Sequence, residues 1–190
     1  MIALLGFVMG IVTSISGGAG VFAVPTMLAF GLPPVNVLAL NRMSDVGVVL
    51  GALRNYWKAK VIDWKLVIKV IPFFALGAYI GANIVVNLPE KSLKYIILAG
   101  VFIGMLFLIK PVRPLINEQR TSNRKRIFGF LMMFLVGIWD GALAMAGSTF
   151  AVLVLVYLFG KHFLQARGIE IVAAIPETLI STTILVLASN

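Results

Sequence analysis

Ser16-Gly17-Gly18-Ala19-Gly20 interrupts an apolar stretch that runs over residues 2–15 before it and 21–30 after it. A second interruption, Ala146-Gly147-Ser148-Thr149, falls inside the apolar run 127–159. In hydrocarbon an unpaired backbone group finds no water. Non-helical backbone at membrane depth therefore persists only where protein or a water-filled cavity covers it. A broken membrane segment used twice points to a substrate site. Composition places these stretches in lipid. Of 190 residues, 61% are hydrophobic and 12% charged, with a mean hydropathy of +1.04. A soluble domain of this length cannot hide so much apolar surface.

Composition also excludes several function classes. The net charge of +9 would suit nucleic acid, but the basic residues gather in two short loops beside apolar spans, the pattern of a membrane protein. The chain holds no cysteine and one histidine, His162. Disulfides and thiolate chemistry are excluded, and a histidine-built metal centre has no ligands. No cofactor or metal is expected. No Ser/His pair or paired-aspartate motif supports an intramembrane enzyme. Residues 1–15 lack a basic leader, and apolar character resumes after Gly20, so they read as mature membrane domain rather than signal peptide.

Apolar stretches long enough to cross a bilayer lie at 35–56, 67–86, 93–109 and 168–187. The two broken regions, 2–30 and 127–159, stand apart. Turn residues mark Gly31-Leu32-Pro33-Pro34 and Asn87-Leu88-Pro89-Glu90. Arg54, Lys58, Lys60 and Lys65 surround the loop after the 35–56 helix. Two crossings later comes a polar linker with Lys110, Arg113, Arg120, Arg124, Lys125 and Arg126 against Glu118 alone. Both loops read as cytoplasmic by the positive-inside rule. The expected fold is all-α: a polytopic membrane helix bundle with internal duplication and two Gly-broken segments. Residues 1–110 form the first repeat, 111–126 the basic cytoplasmic linker, and 127–190 the second repeat, incomplete at its C-terminal end.

The duplication shows in a constant offset that pairs Gly18 with Gly147 and Gly31 with Gly160. Each broken region can be one crossing, giving parallel halves, or two short ones, giving inverted halves. Lys161, His162 and Arg167 fall on the basic side only in the inverted arrangement, which charge favours. Spans 67–86 and 93–109 have no counterpart after residue 187, so the chain is expected to be a piece of a longer protein. An assembly of copies is left open.

Glycine allows backbone turns that a Cβ forbids. A half-helix starting near Gly20 would aim free N–H groups and its positive dipole end into the membrane interior, where they attract an anion. Ser16, Ser148 and Thr149 add hydroxyls. Close helix packing is the competing account of each glycine cluster. Asn41 and Arg42, with Asp45 one turn on, occupy the outer third of the 35–56 helix. An ionisable group at that depth is costly and faces the bundle interior. Arg42 either binds an oxyanion through its planar fork or pairs internally with Asp45. Glu170 and Glu177 lie two turns apart on the last helix, Glu177 beside Pro176, which loosens the helix there. With Asp45 they are the candidates for proton coupling. Asp140 sits in the second broken region. Tyr56, Trp57 and Trp64 read as an interfacial aromatic belt, and His162 as a solvated loop residue.

The string Gly6-x-x-x-Gly10, Ser16-Gly17-Gly18-Ala19-Gly20, Val24-Pro25, Gly31-Leu32-Pro33-Pro34 and Asn41-Arg42 resembles the first half of the sulfite exporter TauE/SafE family. Lys60-Val61-Ile62-Asp63-Trp64 resembles that family's Gly-x-Val-Asp-Trp signature, so the likeness covers most of residues 6–64. It implies a multi-helix inner-membrane permease with internal duplication, of a family associated with export or uptake of sulfite, sulfonates and related organic anions. Ala19 stands where the family has a glycine, and Val154 where the second half would repeat the proline. The expected function is a secondary transporter for a small anion, bound by Ser16, Gly17, Gly18, Gly20, Asn41, Arg42, Gly147, Ser148 and Thr149. An anion channel or a non-transporting membrane subunit is the alternative.

Overall fold

The computed structural model describes residues 20–109 and 121–189, and every regular element among them is a helix. They are α1 (Gly20–Ala29), α2 (Pro34–Lys58), α3 (Trp64–Val86), α4 (Glu90–Ile109), α5 (Asn123–Leu143), α6 (Gly147–Tyr157) and α7 (Phe163–Ala188). Of these, α3, α5 and α7 are long and apolar enough to cross a membrane. The distribution of side chains is that of a protein in lipid. Ile68, Leu76, Phe102, Ile127 and Leu179 face outward, while Arg42, Asp140, Arg167, Glu170 and Glu177 are buried. So much exposed apolar surface would aggregate in water.

Lipid tails are as apolar as leucine, so close van der Waals packing holds the helices together. The α3–α5 contact shows how. Gly77 and Gly81 of α3 meet Gly137 and Gly141 of α5, four residues apart on each helix. A Cβ on Gly77 would stand 2.9 Å from the Gly137 Cα, and one on Gly141 2.8 Å from the Ala78 carbonyl carbon. Gly77 lies against Phe134 and Ile138, and Gly81 against Ile138 and Ala142, so the two helices run parallel and in step. The starts of α3 and α5 therefore share one end of the bundle, here called the Lys60 end. Asp63 caps α3 there, accepting from Leu66 N–H at 3.2 Å, and Ser122 caps α5 from Lys125 N–H.

The Lys161 ammonium lies 2.9 Å from the Asp63 carboxylate, which places the α6–α7 loop at the same Lys60 end. The chain thus climbs in α5, breaks, and returns through α6. The loop before α2, at Gly31, lies at the opposite end, as does the α3–α4 turn. Helix α1 is described over 10 residues and α6 has 11, each stretch about 15–17 Å long, half the hydrocarbon thickness. Gly20, the first described residue of α1, lies against Ala144 and Met145, so the described part of α1 and the whole of α6 run from mid-bundle to opposite ends. Each leads through a glycine of positive φ, Gly31 at 82° and Gly160 at 69°, into a long helix that returns. The α1–α2 and α6–α7 pairs are therefore inverted relative to each other. Residues 16–19 and most of the linker lie outside the described residues.

His162, expected in solvent, instead caps α7 by accepting from Gln165 N–H at 3.3 Å. Trp57 and Trp64 pack edge-to-face at 5.1 Å at the Lys60 end.

Candidate functional site

Where the two half-helices start, the bundle encloses a cavity of about 40 Å³. It is lined by Gly20 of α1, Arg42 and Asp45 of α2, Asp140 of α5, Ala144–Ser148 of the break and α6, and Arg167, Glu170 and Glu177 of α7. Its volume has room for a few waters at most and is too small for a sulfonate.

The break itself is narrower than the glycine reading proposed. Ala144 and Ala146, not Gly147, hold the left-handed backbone, at φ 53° and 59°. Such conformations cost an L-residue about 1 kcal/mol each and persist where the surroundings impose them. Two side chains do so here. Asn41 Nδ2 donates to the Ala144 carbonyl at 2.6 Å, and Trp139 Nε1 to the Met145 carbonyl at 2.9 Å. Gly147 is already the first residue of α6. Its missing Cβ makes room for the Asp140 side chain, which packs directly on it. The glycine therefore serves a close approach rather than a turn.

Arg42 is 2% exposed. Its guanidinium lies 3.1 Å from Glu177, 3.3 Å from Asp140 and 3.8 Å from Asp45, and Nη2 also donates a very short bond to the Asp140 backbone carbonyl. The expected Arg42–Asp45 pair exists, but it is the longest of three. A second group lies beside it. Arg167 binds Glu170 at 3.0 Å, and the Ser148 hydroxyl donates a short hydrogen bond to the same glutamate. Asn41 spends its amide on the break, and Thr149 is not among the cavity-lining residues. Gly20, Arg42, Gly147 and Ser148 do line it, together with Asp45, Glu170 and Glu177.

Asp140 and Arg167 were not among the expected site residues. Arg167 follows the Gly160 turn closely enough to read as a loop charge, yet it lies inside α7 and is 3% exposed. An ionisable residue on an otherwise apolar helix was the available signal for both. Among the described residues no three His, Asp or Glu side chains are arranged to hold a metal ion.

Outside the membrane-spanning segments, partial burial pushes the Asp63 carboxyl up. The hydrogen bond from Lys161, the Leu66 and Lys65 N–H groups and the Lys161 charge outweigh that and hold it below the usual carboxylate range.

A lipid-embedded bundle with two opposed half-helices meeting at buried charges is the architecture of a membrane permease fold. Residues 2–190 match the sulfite exporter TauE/SafE family, and the chain belongs to that family. It is 29% identical to a probable membrane transporter protein of Haemophilus influenzae, over 86% of this chain and 64% of that one. It is likewise 29% identical to the probable membrane transporter protein YfcA of Escherichia coli K12, over 84% of this chain and 59% of the relative. Identity to the probable membrane transporter protein YjnA of Bacillus subtilis is 21%, over 91% and 73%. The chain spans about three fifths of the length of the first two relatives. No solved structure matches it.

Proposed function

We propose that the chain forms the substrate-binding part of a secondary transporter for a small oxyanion: sulfite, an organic sulfonate or a related sulfur-containing anion. The observation that carries this reading is the meeting of Gly20, the first described residue of α1, with the N-terminus of α6 at one buried, charged cavity. The α6 N-terminus contributes about half a positive charge, and Arg42 and Arg167 stand beside it. The family supplies the substrate class. The inverted α1–α2 and α6–α7 pairs are the elements that would rock about the cavity to open it to each face in turn. The Lys60 end, with Arg54, Lys58, Lys60, Lys65, Arg124, Lys125 and Arg126, is assigned to the cytoplasm of a cell-membrane protein by the positive-inside rule. The chemistry assigned is binding and release, with no bond made or broken.

The test is uptake of a panel of labelled oxyanions by proteoliposomes carrying the full-length protein. Saturable uptake of a sulfur oxyanion is expected. Unsaturable conductance would identify a channel. No flux of any anion would identify a non-transporting subunit.

A further inference from the structure

The cavity presents four carboxylates, Asp45, Asp140, Glu170 and Glu177, against two guanidinium groups, Arg42 and Arg167. Elements α1, α3, α4 and α6 bring no ionisable side chain to it. With the α6 N-terminus counted as about half a positive charge, the ionised site carries between about one and two negative charges. Neither guanidinium is idle: Arg42 faces three carboxylates and Arg167 faces Glu170. An arriving anion meets no unclaimed positive side chain.

One carboxylate is placed to yield. Glu177 is fully buried. Its Oε2 accepts hydrogen bonds from the Thr178 hydroxyl at 3.0 Å and from Arg42 Nη1 at 3.4 Å. Its Oε1 lies 3.1 Å from Arg42 Nη2 yet accepts no hydrogen bond. A proton on Oε1 would cancel the attraction that draws Arg42 to Glu177. It would also turn that oxygen into a donor facing the space where Arg42 is freed. A buried charge left without its partner is strongly disfavoured, so release of Arg42 from Glu177, protonation of Glu177 and arrival of an anion favour one another.

Building on the transporter reading, we infer that the site takes its anion together with one proton, carried on Glu177. The sulfonate oxygens replace the Glu177 carboxylate on the Arg42 guanidinium, and the protonated Glu177 donates to the sulfonate. The proton comes from the water on the open side and leaves to water on the other side with the anion. One proton and one singly charged sulfonate leave the charge of the site unchanged, so the pair crosses in the same direction without net charge movement.

A labelled alkylsulfonate is the probe, because its charge does not change between pH 5 and 9. Full-length protein in proteoliposomes is assayed in two ways. Counterflow exchange at equal pH moves no net proton and tests transport itself. Net uptake under an inward proton gradient, with the membrane potential clamped to zero, tests coupling. Exchange and gradient-driven accumulation are both expected. The apparent affinity should fall about tenfold for each unit of pH rise above the range in which the site holds its proton, as linkage of one proton to one anion requires. In Glu177→Gln that slope should disappear and accumulation should be lost. Exchange without accumulation would overturn the coupling while leaving transport intact, as would accumulation driven by a sodium gradient or by membrane potential alone. A slope unchanged in Glu177→Gln would remove Glu177 from the role. Absence of exchange would sink transport and coupling together.

Discussion

Replacing Arg42 with glutamine should destabilise the bundle more than any other single neutralisation in it. The wild-type guanidinium is 2% exposed and lies 3.1, 3.3 and 3.8 Å from the carboxylates of Glu177, Asp140 and Asp45. At an effective dielectric of about 20, a unit charge pair about 4 Å apart is worth about 4 kcal/mol. Desolvation of the same groups offsets much of that attraction while the cluster is complete. Removing the cation leaves the desolvation without the attraction, and breaking one partner from a buried pair costs about 3–5 kcal/mol. The variant also loses the bond from Nη2 to the Asp140 carbonyl, which helps fix the end of α5. A second change, Glu177→Gln, removes one stranded charge and should restore at least about 1 kcal/mol, within the range seen for directly coupled neighbours. The assay is thermal unfolding of purified protein in detergent, with the two singles and the double completing a cycle. A loss of 3–5 kcal/mol corresponds to roughly 10 °C or more for a chain of this size. The reasoning fails if Arg42→Gln melts within a degree or two of wild type, or if the double variant is no more stable than the single.

Gly141→Leu should cost about 1–3 kcal/mol by overpacking, because the new side chain starts against Ala78 of α3. Gly51→Ala, at an open site on α2, should leave the melting temperature unchanged or slightly raised, and equal effects of the two would remove α3–α5 packing from the account. Asp63 has its carboxyl held below the usual range, so its contribution is present above about pH 4, the unfolded value, and fades as the pH falls through the lower folded value. Asp63 is only half-buried and its pair with Lys161 is open to solvent screening, so the effect is under about 1 kcal/mol. Stability titrated from pH 5 to pH 2 should lose this component in Lys161→Met, and identical acid profiles would contradict it.

Local features of the fold were readable because they are written locally. The run 67–86 became Trp64–Val86, since apolar length alone separates a membrane helix from its turns; the run 35–56 became the helix Pro34–Lys58, which is not among the helices apolar enough to cross a membrane. The break before Gly147 was visible as small residues inside an apolar run. Asp45 was recognisable as a partner of Arg42 because three residues along a helix is a fixed neighbour relation. Asp140 and Glu177 were not, since they reach Arg42 across 98 and 135 residues of chain, and no periodicity encodes such a meeting. The positive φ of Ala144 and Ala146 was likewise hidden. It is imposed by Asn41 and Trp139 rather than by any permissive residue at the break. The paired spacing of Gly77 with Gly81 and of Gly137 with Gly141 was present in the sequence as a close-packing signal and went unread beside the more prominent glycine cluster at 16–20.

A transporter of this design needs the cavity at the start of α6 to be reached from each face of the membrane in turn. The chain has no cysteine, so Ser148→Cys gives it a single thiol, placed in the cavity lining. In membrane vesicles of both orientations, a membrane-impermeant maleimide should label that thiol from either side, and an alkylsulfonate should slow the reaction from both. Labelling from one side only, or labelling that the sulfonate does not slow, would contradict the account.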